Sequence, residues 1–356
     1  MAKQLFGIFS PQLGEKKDYP VILLDKVVQV DNRNIIRKYG EVRRRQMRDP
    51  DMLDKGGDKT QTPDGNPIIH YHTFTKRSNA TQYVLAFTKA HIYCWNTSNK
   101  AWDLKFTCSS DCTEWDTVSY NDKVIATNNV DKVLVWDTTG NFVALDDTTN
   151  GIEYAEGVYL TKAKYVTTFE NFLILGYTYE NGYSYPQRIR WNAIGDETAW
   201  DSGDAGSAET EGGDFITGFR IYSGQLVIFK EKSRILQRLV STSDVWVWDK
   251  LPGNIGCLSN HSIVEDPDGR VYWLASDMTF REMQAGEISH EIDPIVKLIE
   301  PSSAHLVCGA YIDETGEIWW SIPYDNALNN KVLTFKNGAW GELDLSIPTI
   351  GEYKEA

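Results

Sequence analysis

A tight polar turn followed by a short apolar run recurs along this 356-residue chain, and a second strand-like run follows each copy. Clear copies begin at Tyr120, Tyr222, Asp266 and Asp313, and a looser copy begins at Thr168. The copies are roughly 42 to 53 residues apart, a spacing typical of propeller blades and similar arrays. Because a unit of this size cannot bury both of its faces alone, the units must stack on one another.

From Pro67 onward, apolar and β-branched runs alternate with turns rich in Gly, Asn, Asp and Ser. The runs group into six blade-sized units of three or four strands, at about residues 67–107, 112–147, 155–203, 213–250, 255–293 and 303–345. The second run of a unit, such as 226–229, is wholly apolar, which is typical of a strand covered on both faces. The sequence therefore predicts an all-β fold, a β-propeller of about six blades with an N-terminal extended segment.

This reading divides the chain into three regions. Residues 1–66 form an N-terminal arm with two strand candidates, at 21–25 and 26–30, and a basic segment. The propeller covers 67–345, and 346–356 form a C-terminal tail. The stretch nearest to a helical period, 292–300, is short and ends before Pro301.

Charge is unevenly distributed between the arm and the rest of the chain. The whole chain has 36 basic and 50 acidic residues and a net charge of −14, which argues against a general nucleic-acid-binding surface and favours solubility. Between residues 32 and 48 the net charge is +6, with only Glu41 opposing the bases, so the remainder carries −20. Such a run forms either a solvated arm or a docking element for an acidic neighbour, such as another copy. The candidate docking residues are Arg33, Arg37, Lys38, Arg43, Arg44, Arg45 and Arg48.

The five cysteines are too few and too scattered to predict a disulfide framework. The amino terminus lacks the apolar core of a secretory signal, and no apolar stretch approaches the ~18 residues that span a bilayer. We therefore expect the protein to be made in a cytoplasm and to remain there at first.

Five Trp-Asp pairs suggest a WD40 scaffold, at 102–103, 115–116, 136–137, 200–201 and 248–249. That family also uses a Gly-His pair upstream to lock each blade, and this sequence contains none. We therefore interpret the pairs as structural. The Trp supplies apolar volume at the end of a strand, and the Asp is a favourable residue in the turn that follows.

No residue pattern predicts a metal, a cofactor or a catalytic centre. The acidic stretch 196–214 is interpreted as a solvated, mobile loop rather than a cation site, because it lacks calcium-loop spacing. His70 and His72 share a strand face and are interpreted as a structural pair. Cys108 and Cys112 are interpreted as structural or free thiols. A propeller glycosidase can assemble acids from different blades, so the absence of a local motif does not exclude one.

Three segments, 186–201, 226–237 and 256–277, together carry a resemblance to a known family. They contain Arg and Trp before a Gly-Asp pair and a later Trp, then Phe-Lys-x-x-Ser, then Gly-x-x-Ser-x-x-Ser before an aromatic strand. This order resembles the β-propeller tail hub or nozzle proteins of tailed bacteriophages. The resemblance covers roughly residues 155–290, and the chain is shorter than many such nozzles and lacks their large inserted domains.

The resemblance implies a non-enzymatic structural protein of the virion tail, assembled in the host cytoplasm and without a membrane span. It implies a homo-oligomeric ring, commonly of six copies, that contacts other tail proteins and surrounds a channel through which DNA passes without specific binding. An acidic wall repels the phosphate backbone and is compatible with that role. Two alternatives stay open. One is a carbohydrate-binding or glycan-cleaving propeller, suggested by 12 Trp and 18 Tyr; the other is an intracellular scaffold.

Overall fold

The structure, a computed structural model, describes residues 35–38, 41–44, 62–146, 149–240 and 245–350. Six antiparallel sheets follow one another along the chain in a six-bladed β-propeller arrangement, and a separate two-stranded hairpin precedes them. The predicted all-β propeller of about six blades is therefore confirmed. The strand candidates at 21–25 and 26–30 lie outside the described residues.

Consecutive strands pair within every sheet, so each sheet is a simple meander. The hairpin consists of β1 (Ile35–Lys38) and β2 (Glu41–Arg44). Sheet 1 contains β3 (His70–Thr75), β4 (Gln82–Phe87), β5 (His91–Asn96) and β6 (Ala101–Thr107), and sheet 2 contains β7 (Asp116–Tyr120), β8 (Lys123–Thr127), β9 (Leu134–Trp136) and β10 (Val143–Ala144). Sheet 3 contains β11 (Ile152–Ala155), β12 (Val158–Phe169), β13 (Phe172–Glu180), β14 (Tyr183–Trp191) and β15 (Gly206–Glu209).

The remaining sheets have four strands each. Sheet 4 contains β16 (Ile216–Tyr222), β17 (Gln225–Lys230), β18 (Arg234–Leu239) and β19 (Trp246–Lys250), and sheet 5 contains β20 (Val264–Glu265), β21 (Val271–Leu274), β22 (Phe280–Glu282) and β23 (Gly286–Glu287). Sheet 6 contains β24 (Cys308–Ile312), β25 (Glu317–Ile322), β26 (Lys331–Lys336) and β27 (Ala339–Leu343). Every sheet falls close to one of the predicted units.

Sheet 3 departs from the prediction of three or four strands, because it has five. The extra strand, β11, pairs with the first residues of the twelve-residue β12. A bulge at Tyr177, whose φ is +56°, shifts the register of β13, and β12 is shifted between Leu160 and Lys162. Bulges bend strands and increase their twist. The end of sheet 3 that contains them therefore differs from the corresponding end of the four-stranded sheets.

The apolar second strand predicted for each unit is buried, and in sheet 3, where β11 is extra, that strand is β13. In β17, five residues from Leu226 to Lys230 are buried, and every residue of β21 and β25 is buried. Four apolar clusters lie between successive sheets. In the larger unit they join sheets 1 and 2, sheets 2 and 3, and sheets 3 and 4, and in the smaller unit one joins sheets 5 and 6.

The described chain divides into two compact units. The larger unit contains sheets 1 to 4 and ends at Cys257; the smaller begins at Leu258 and contains sheets 5 and 6 together with the hairpin. In the larger unit β3 contacts β7, and β12 contacts both β7 and β16; in the smaller unit β20 contacts β24. In the described ranges, helix is confined to α1 (Asp293–Val296) and to 3-10 turns at Asn260–Ser262, His290–Ile292 and Pro301–Leu306. Within the described ranges, no helix is long and apolar enough to cross a membrane.

Residues 344–350, which we call the C-terminal strap, lie across one face of sheet 6. Leu345, Ile347 and Ile350 pack against a cluster containing Trp319, Val332 and Leu343. The exposed residues Asp344, Ser346 and Pro348 alternate with the packed ones, as in an extended segment with one side covered.

Candidate functional site

The basic segment is the predicted docking element, and the structure places part of it in the hairpin. Arg37 and Lys38 lie on β1 and Arg43 and Arg44 on β2, with Ile36 opposite Arg43 in the antiparallel register. Arg33, Arg45 and Arg48 lie outside the described residues. Only two residues separate the paired Lys38 and Glu41, a length typical of tight hairpins, and one of the two is Gly40; this hairpin was not among the predicted strands. The pairing brings basic positions from both strands together, and β1 lies beside β27 of sheet 6.

The residues that carry the family resemblance hold neighbouring segments together. Lys230, at the end of β17, has a fully buried side chain whose Nζ lies 2.9 Å from Asp214 Oδ1 and donates to Glu211 O at 2.5 Å. Ser233 Oγ donates to Asp214 Oδ2 at 2.9 Å. Burial alone would raise the pKa of Asp214, but hydrogen bonds from Lys230, Lys232 and Ser233 lower it. We call this group the lysine clamp, because it ties the segment that enters sheet 4 to the end of β17.

Gly256 begins the third resembling motif and lies against the backbone of the lysine clamp. A Cβ built on Gly256 would lie 2.0 Å from Lys230 O and 2.5 Å from Glu231 O, both of them backbone atoms. Cys257 N donates to the same Lys230 oxygen at 2.9 Å. Because only glycine lets two backbone segments approach this closely, the chain can cross the end of sheet 4 only with glycine here.

The Gly-Asp motif forms a second clamp, between sheets 2 and 3. Asn192 Oδ1 accepts from Leu173 N at 2.6 Å, and its Nδ2 donates to Asp196 O at 2.7 Å and to Tyr120 Oη at 3.2 Å. The buried Trp200 closes the loop by donating from Nε1 to Glu197 O at 2.7 Å. Glu197 in turn pairs with Lys123 of sheet 2.

The two serines of the third motif act inside the smaller unit. Ser259 Oγ donates to Val307 O at 2.7 Å, just before β24 begins. Ser262 Oγ donates to Ser259 O and accepts from Leu274 N at 3.0 Å. Both side chains are buried, so they satisfy backbone groups that would otherwise lose hydrogen bonds on folding.

The extended end of sheet 3 contains a buried ionic network that was not predicted from the sequence. Glu180 is fully buried and accepts from Arg190 Nη2 at 2.9 Å, from Arg188 Nη1 at 3.0 Å and from Thr178 Oγ1 at 2.7 Å. Burial works against the charged carboxylate, but these bonds outweigh it and lower the pKa of Glu180. The Arg190 guanidinium also lies 3.6 Å from the centre of the Tyr154 ring on β11. The network therefore joins β11, β13 and β14.

His70 and His72 face sheet 2, and their hydrogen bonds confirm the interpretation of a structural pair. His70 Nε2 lies 2.7 Å from Thr117 Oγ1, and His72 Nδ1 lies 2.9 Å from the same oxygen. His72 Nε2 lies 2.9 Å from Ser119 Oγ. Burial lowers the pKa of His72 to about 4. The neutral ring therefore joins β3 to β7.

We expect this junction to weaken in acid. The unfolded chain binds a proton at His72 near pH 6.5 and the folded chain only near pH 4, so stability is lost as the pH falls between these values. Because the ring is only half-buried, we expect a loss of about 1 to 2 kcal/mol between pH 7 and pH 4.5. Urea unfolding at both pH values should show a smaller loss for His72→Gln than for the native chain. An unchanged loss in His72→Gln, equal to that of the exposed-site control His305→Gln, would contradict the assignment.

The prediction of a mobile, solvated acidic loop at 196–214 is wrong in part. Glu197 and Asp214 are largely buried and ion-paired, and β15 lies inside the stretch. Lys123 is 74 residues from Glu197, and Lys230 lies at the far end of the β16–β17 hairpin from Asp214, so neither pairing is visible in the residues next to the acids. Among the described residues, no group of three or more His, Cys, Asp or Glu side chains is arranged to hold a metal ion.

The interpretation of the Trp-Asp pairs as buried apolar volume holds for three of the five. Trp115, Trp136 and Trp200 are buried, but Trp102 is half-buried and Trp248 is exposed. Asp137 accepts from Thr139 N at 2.8 Å within its turn, but Asp116 instead accepts from Val166 N of sheet 3 at 2.9 Å and so joins two sheets. All five cysteines lie in the described part of the chain and are free thiols.

The Asp266-Pro-Asp-Gly turn connects β20 and β21, as predicted. Asp266 Oδ1 accepts from Asp268 N and Arg270 N at 3.0 Å, and Tyr272 Oη donates to Oδ2 at 3.2 Å. A cavity of about 250 Å³ lies beside this turn within the smaller unit, between it and the turn after β26. Tyr311 and Phe335 line it together with the charged residues Asp266, Arg270 and Lys336.

No protein-family model and no curated protein matches the chain. Solved structures similar to it include the computationally designed protein Ika8, 12% identical, with a TM-score of 0.45 over 81% of this chain and 78% of that one. YCF48 bound to D1 peptide is 12% identical, with a TM-score of 0.48 over 81% and 85%. The extracellular domain of a protein described as a hybrid two-component system, from B. thetaiotaomicron, is 12% identical, with a TM-score of 0.48 over 77% of this chain and 33% of that one. Nothing about function follows from likenesses of this degree.

Proposed function

We propose that this protein is a non-enzymatic structural component of a bacteriophage virion, a β-propeller subunit of a tail ring of the hub or nozzle type. The observation that carries the proposal is the use of the resembling motifs. Lys230, Asn192 and Gly256 all hold one backbone segment against another. Residues that fix neighbouring backbone segments to one another make the subunit rigid, and a subunit of a tail ring has to be rigid.

Charge supports the proposed place of the ring around passing DNA. A chain of net −14 repels phosphate from most of its surface, whereas a groove lined with Lys and Arg would hold DNA by counterion release. Weak attraction to DNA suits a conduit through which the genome must move.

The basic segment supports assembly of copies into the ring. Its net charge of +6 contrasts with −20 on the remaining residues, so the segment of one copy is complementary to the bulk of another. The hairpin register presents basic positions of both strands over a short length of chain. We infer that the segment docks onto an acidic surface of a neighbouring copy or of another tail protein.

Charge reversal in this segment tests the proposal. We expect the triple variant Arg43→Glu, Arg44→Glu and Arg45→Glu to keep the native circular dichroism spectrum and to lose assembly, because like charges would then meet at the contact. Mass photometry and negative-stain microscopy measure the assembled fraction. The control changes the net charge by the same amount at the exposed residues Arg77, Lys232 and Lys250. Unchanged assembly in the first variant, or equal loss in both, would reject docking through this segment.

A further inference from the structure

The cavity beside the Asp266-Pro-Asp-Gly turn lies wholly within the smaller unit, between residues of sheets 5 and 6. Its volume is about 250 Å³, just below the roughly 300–1,000 Å³ of pockets that hold drug-sized ligands. Tyr311, Ile318 and Phe335 supply apolar lining from sheet 6. The cavity therefore has room for one small ring and apolar surface on which a face of that ring can lie.

Four of the lining residues are charged, and their charges cancel. Asp266 and Asp268 supply two negative charges, and Arg270 and Lys336 supply two positive charges. Arg270 Nε donates to Asp266 Oδ2 at 2.7 Å, and its Nη2 donates to Asp268 Oδ2 at 2.9 Å. A small anion bound here would lie beside two carboxylates, and a small cation would lie beside a guanidinium and an ammonium. A neutral ligand avoids both repulsions.

Lys336 and Asn337 have hydrogen-bonding groups to spare at this cavity. Lys336 Nζ donates to Thr315 O at 2.5 Å, its one hydrogen bond within the described ranges, so two of its three N–H groups are left over. The exposed Asn337 side chain makes no hydrogen bond to the described part of the chain. A Cβ built on Gly316 would lie 3.2 Å from Lys336 Nζ and 3.4 Å from Tyr311 Oη, so these two polar atoms border the same space.

We propose that this cavity binds the ring of a neutral sugar, a hexopyranose, either free or as one residue of a glycan. A pyranose ring presents C–H groups that can lie on Tyr311, and its hydroxyl groups both donate and accept hydrogen bonds. The hydroxyl groups accept from Lys336 and Asn337 and donate to the Asp268 carboxylate, whose side chain is 76% exposed. Carbohydrate binding at this cavity is an activity separate from the proposed ring, because every lining residue belongs to one copy.

Two variants remove the spare donors without filling the cavity. Lys336→Met keeps an unbranched side chain and loses the ammonium. Asn337→Gly loses the amide and suits the backbone, because Asn337 has a φ of +49°. The matched controls lie in the larger unit. Lys232→Met removes an exposed ammonium there, and Asn181→Gly makes the same change in another Asn-Gly turn, where φ is +48°.

Saturation-transfer difference NMR on the full-length chain tests the proposal. The probes are the methyl glycosides of glucose, galactose and mannose, with glucuronic acid and glucosamine as charged comparisons. We expect at least one neutral glycoside to bind with a Kd of about 1 mM, the affinity expected of a ligand with about a dozen heavy atoms. The charged sugars should bind more weakly than that glycoside.

The variants locate the binding. Lys336→Met should raise the Kd about tenfold and Asn337→Gly about fivefold, because each loses a hydrogen bond to the sugar. Both control variants should stay within about twofold of the native Kd. A glycan array then separates the two sources of the sugar. A signal on glycans that carry the preferred sugar identifies a glycan residue, and binding of the methyl glycoside alone identifies a free sugar.

Three results would overturn the proposal. The first is the absence of binding to all three glycosides at about twentyfold the expected Kd, together with a blank array. The second is tighter binding of glucuronic acid or glucosamine than of the neutral glycosides. The third is a Kd that is unchanged in Lys336→Met and Asn337→Gly, or that rises equally in the controls. Circular dichroism checks that each variant is folded, and Asn337→Gly decides alone if Lys336→Met does not fold.

Discussion

Replacing Glu180 with alanine should destabilise the larger unit by about 3 to 5 kcal/mol, the cost of breaking a buried ion pair by removing one partner. Glu180 is fully buried and is the shared acceptor of Arg188 and Arg190. Without it, Arg190 retains its ring contact with Tyr154 but loses its carboxylate while it remains buried. The lost free energy should appear in chemical denaturation as an earlier unfolding transition.

Glu209 provides the matched control for this experiment. It pairs with Arg188 at 2.7 Å, but its side chain is 60% exposed, so Glu209→Ala should cost no more than about 1 kcal/mol. Similar small losses in the two variants would show that the network is not a stabilising junction of β11, β13 and β14. The loss of stability in Glu180→Gln should lie between the losses in these two variants. Glutamine keeps the shape of the side chain and a hydrogen-bonding group beside Thr178.

Replacing Lys230 with methionine should have a comparably large effect, a loss of about 3 kcal/mol, because it leaves the Asp214 carboxylate without its buried cation. The loss should be concentrated in sheet 4 and the segment that enters it. Hydrogen exchange read by mass spectrometry should therefore show faster exchange near 211–233 than near the hairpins of sheet 1.

Two further variants make the test of the lysine clamp decisive. Lys232→Met removes a neighbouring, exposed ammonium and should leave stability within about 0.5 kcal/mol of native, since only the backbone N of Lys232 contacts Asp214. Lys230→Met combined with Asp214→Asn removes both charges, so its loss should be smaller than the sum of the two single losses. Strict additivity would contradict a direct pairing.

The local signals in the sequence were enough to predict the sheets. Turn residues and wholly apolar second strands, such as 226–229, recur in each unit, and the structure places a sheet close to each predicted unit. A Trp beside an Asp was correctly interpreted as buried volume at Trp136 and Trp200. These features depend on neighbouring residues, so a single sequence displays them.

Pairings between distant segments could not be predicted in this way. Lys123 and Glu197 are 74 residues apart, so nothing local distinguishes Glu197 from a solvated acid. The network around Glu180 depends on the bulge at Tyr177, which sets the direction of the strand end. Asn181-Gly182, a typical two-residue hairpin turn, did mark the loop that brings Glu180 near Arg188.

The C-terminal strap also shows a recognisable pattern in the sequence, an alternation of apolar and other residues. Leu345, Ile347 and Ile350 contact sheet 6, whereas the residues between them include exposed Ser346 and Pro348. Such alternation predicts an extended segment with one covered side, but it does not identify what covers that side. The donors that hold the strap are Ser321 on β25 and Asn329 in the loop between β25 and β26, and the sequence does not reveal that they lie beside the strap.

Particle imaging of the purified full-length chain tests the tail-ring proposal most directly. At micromolar concentration and physiological salt, class averages should show closed rings of copies with cyclic symmetry, commonly sixfold. The Arg43, Arg44 and Arg45 reversal should remove those rings. A folded chain that stays monomeric under these conditions, and that is absent from purified virions, would contradict the account.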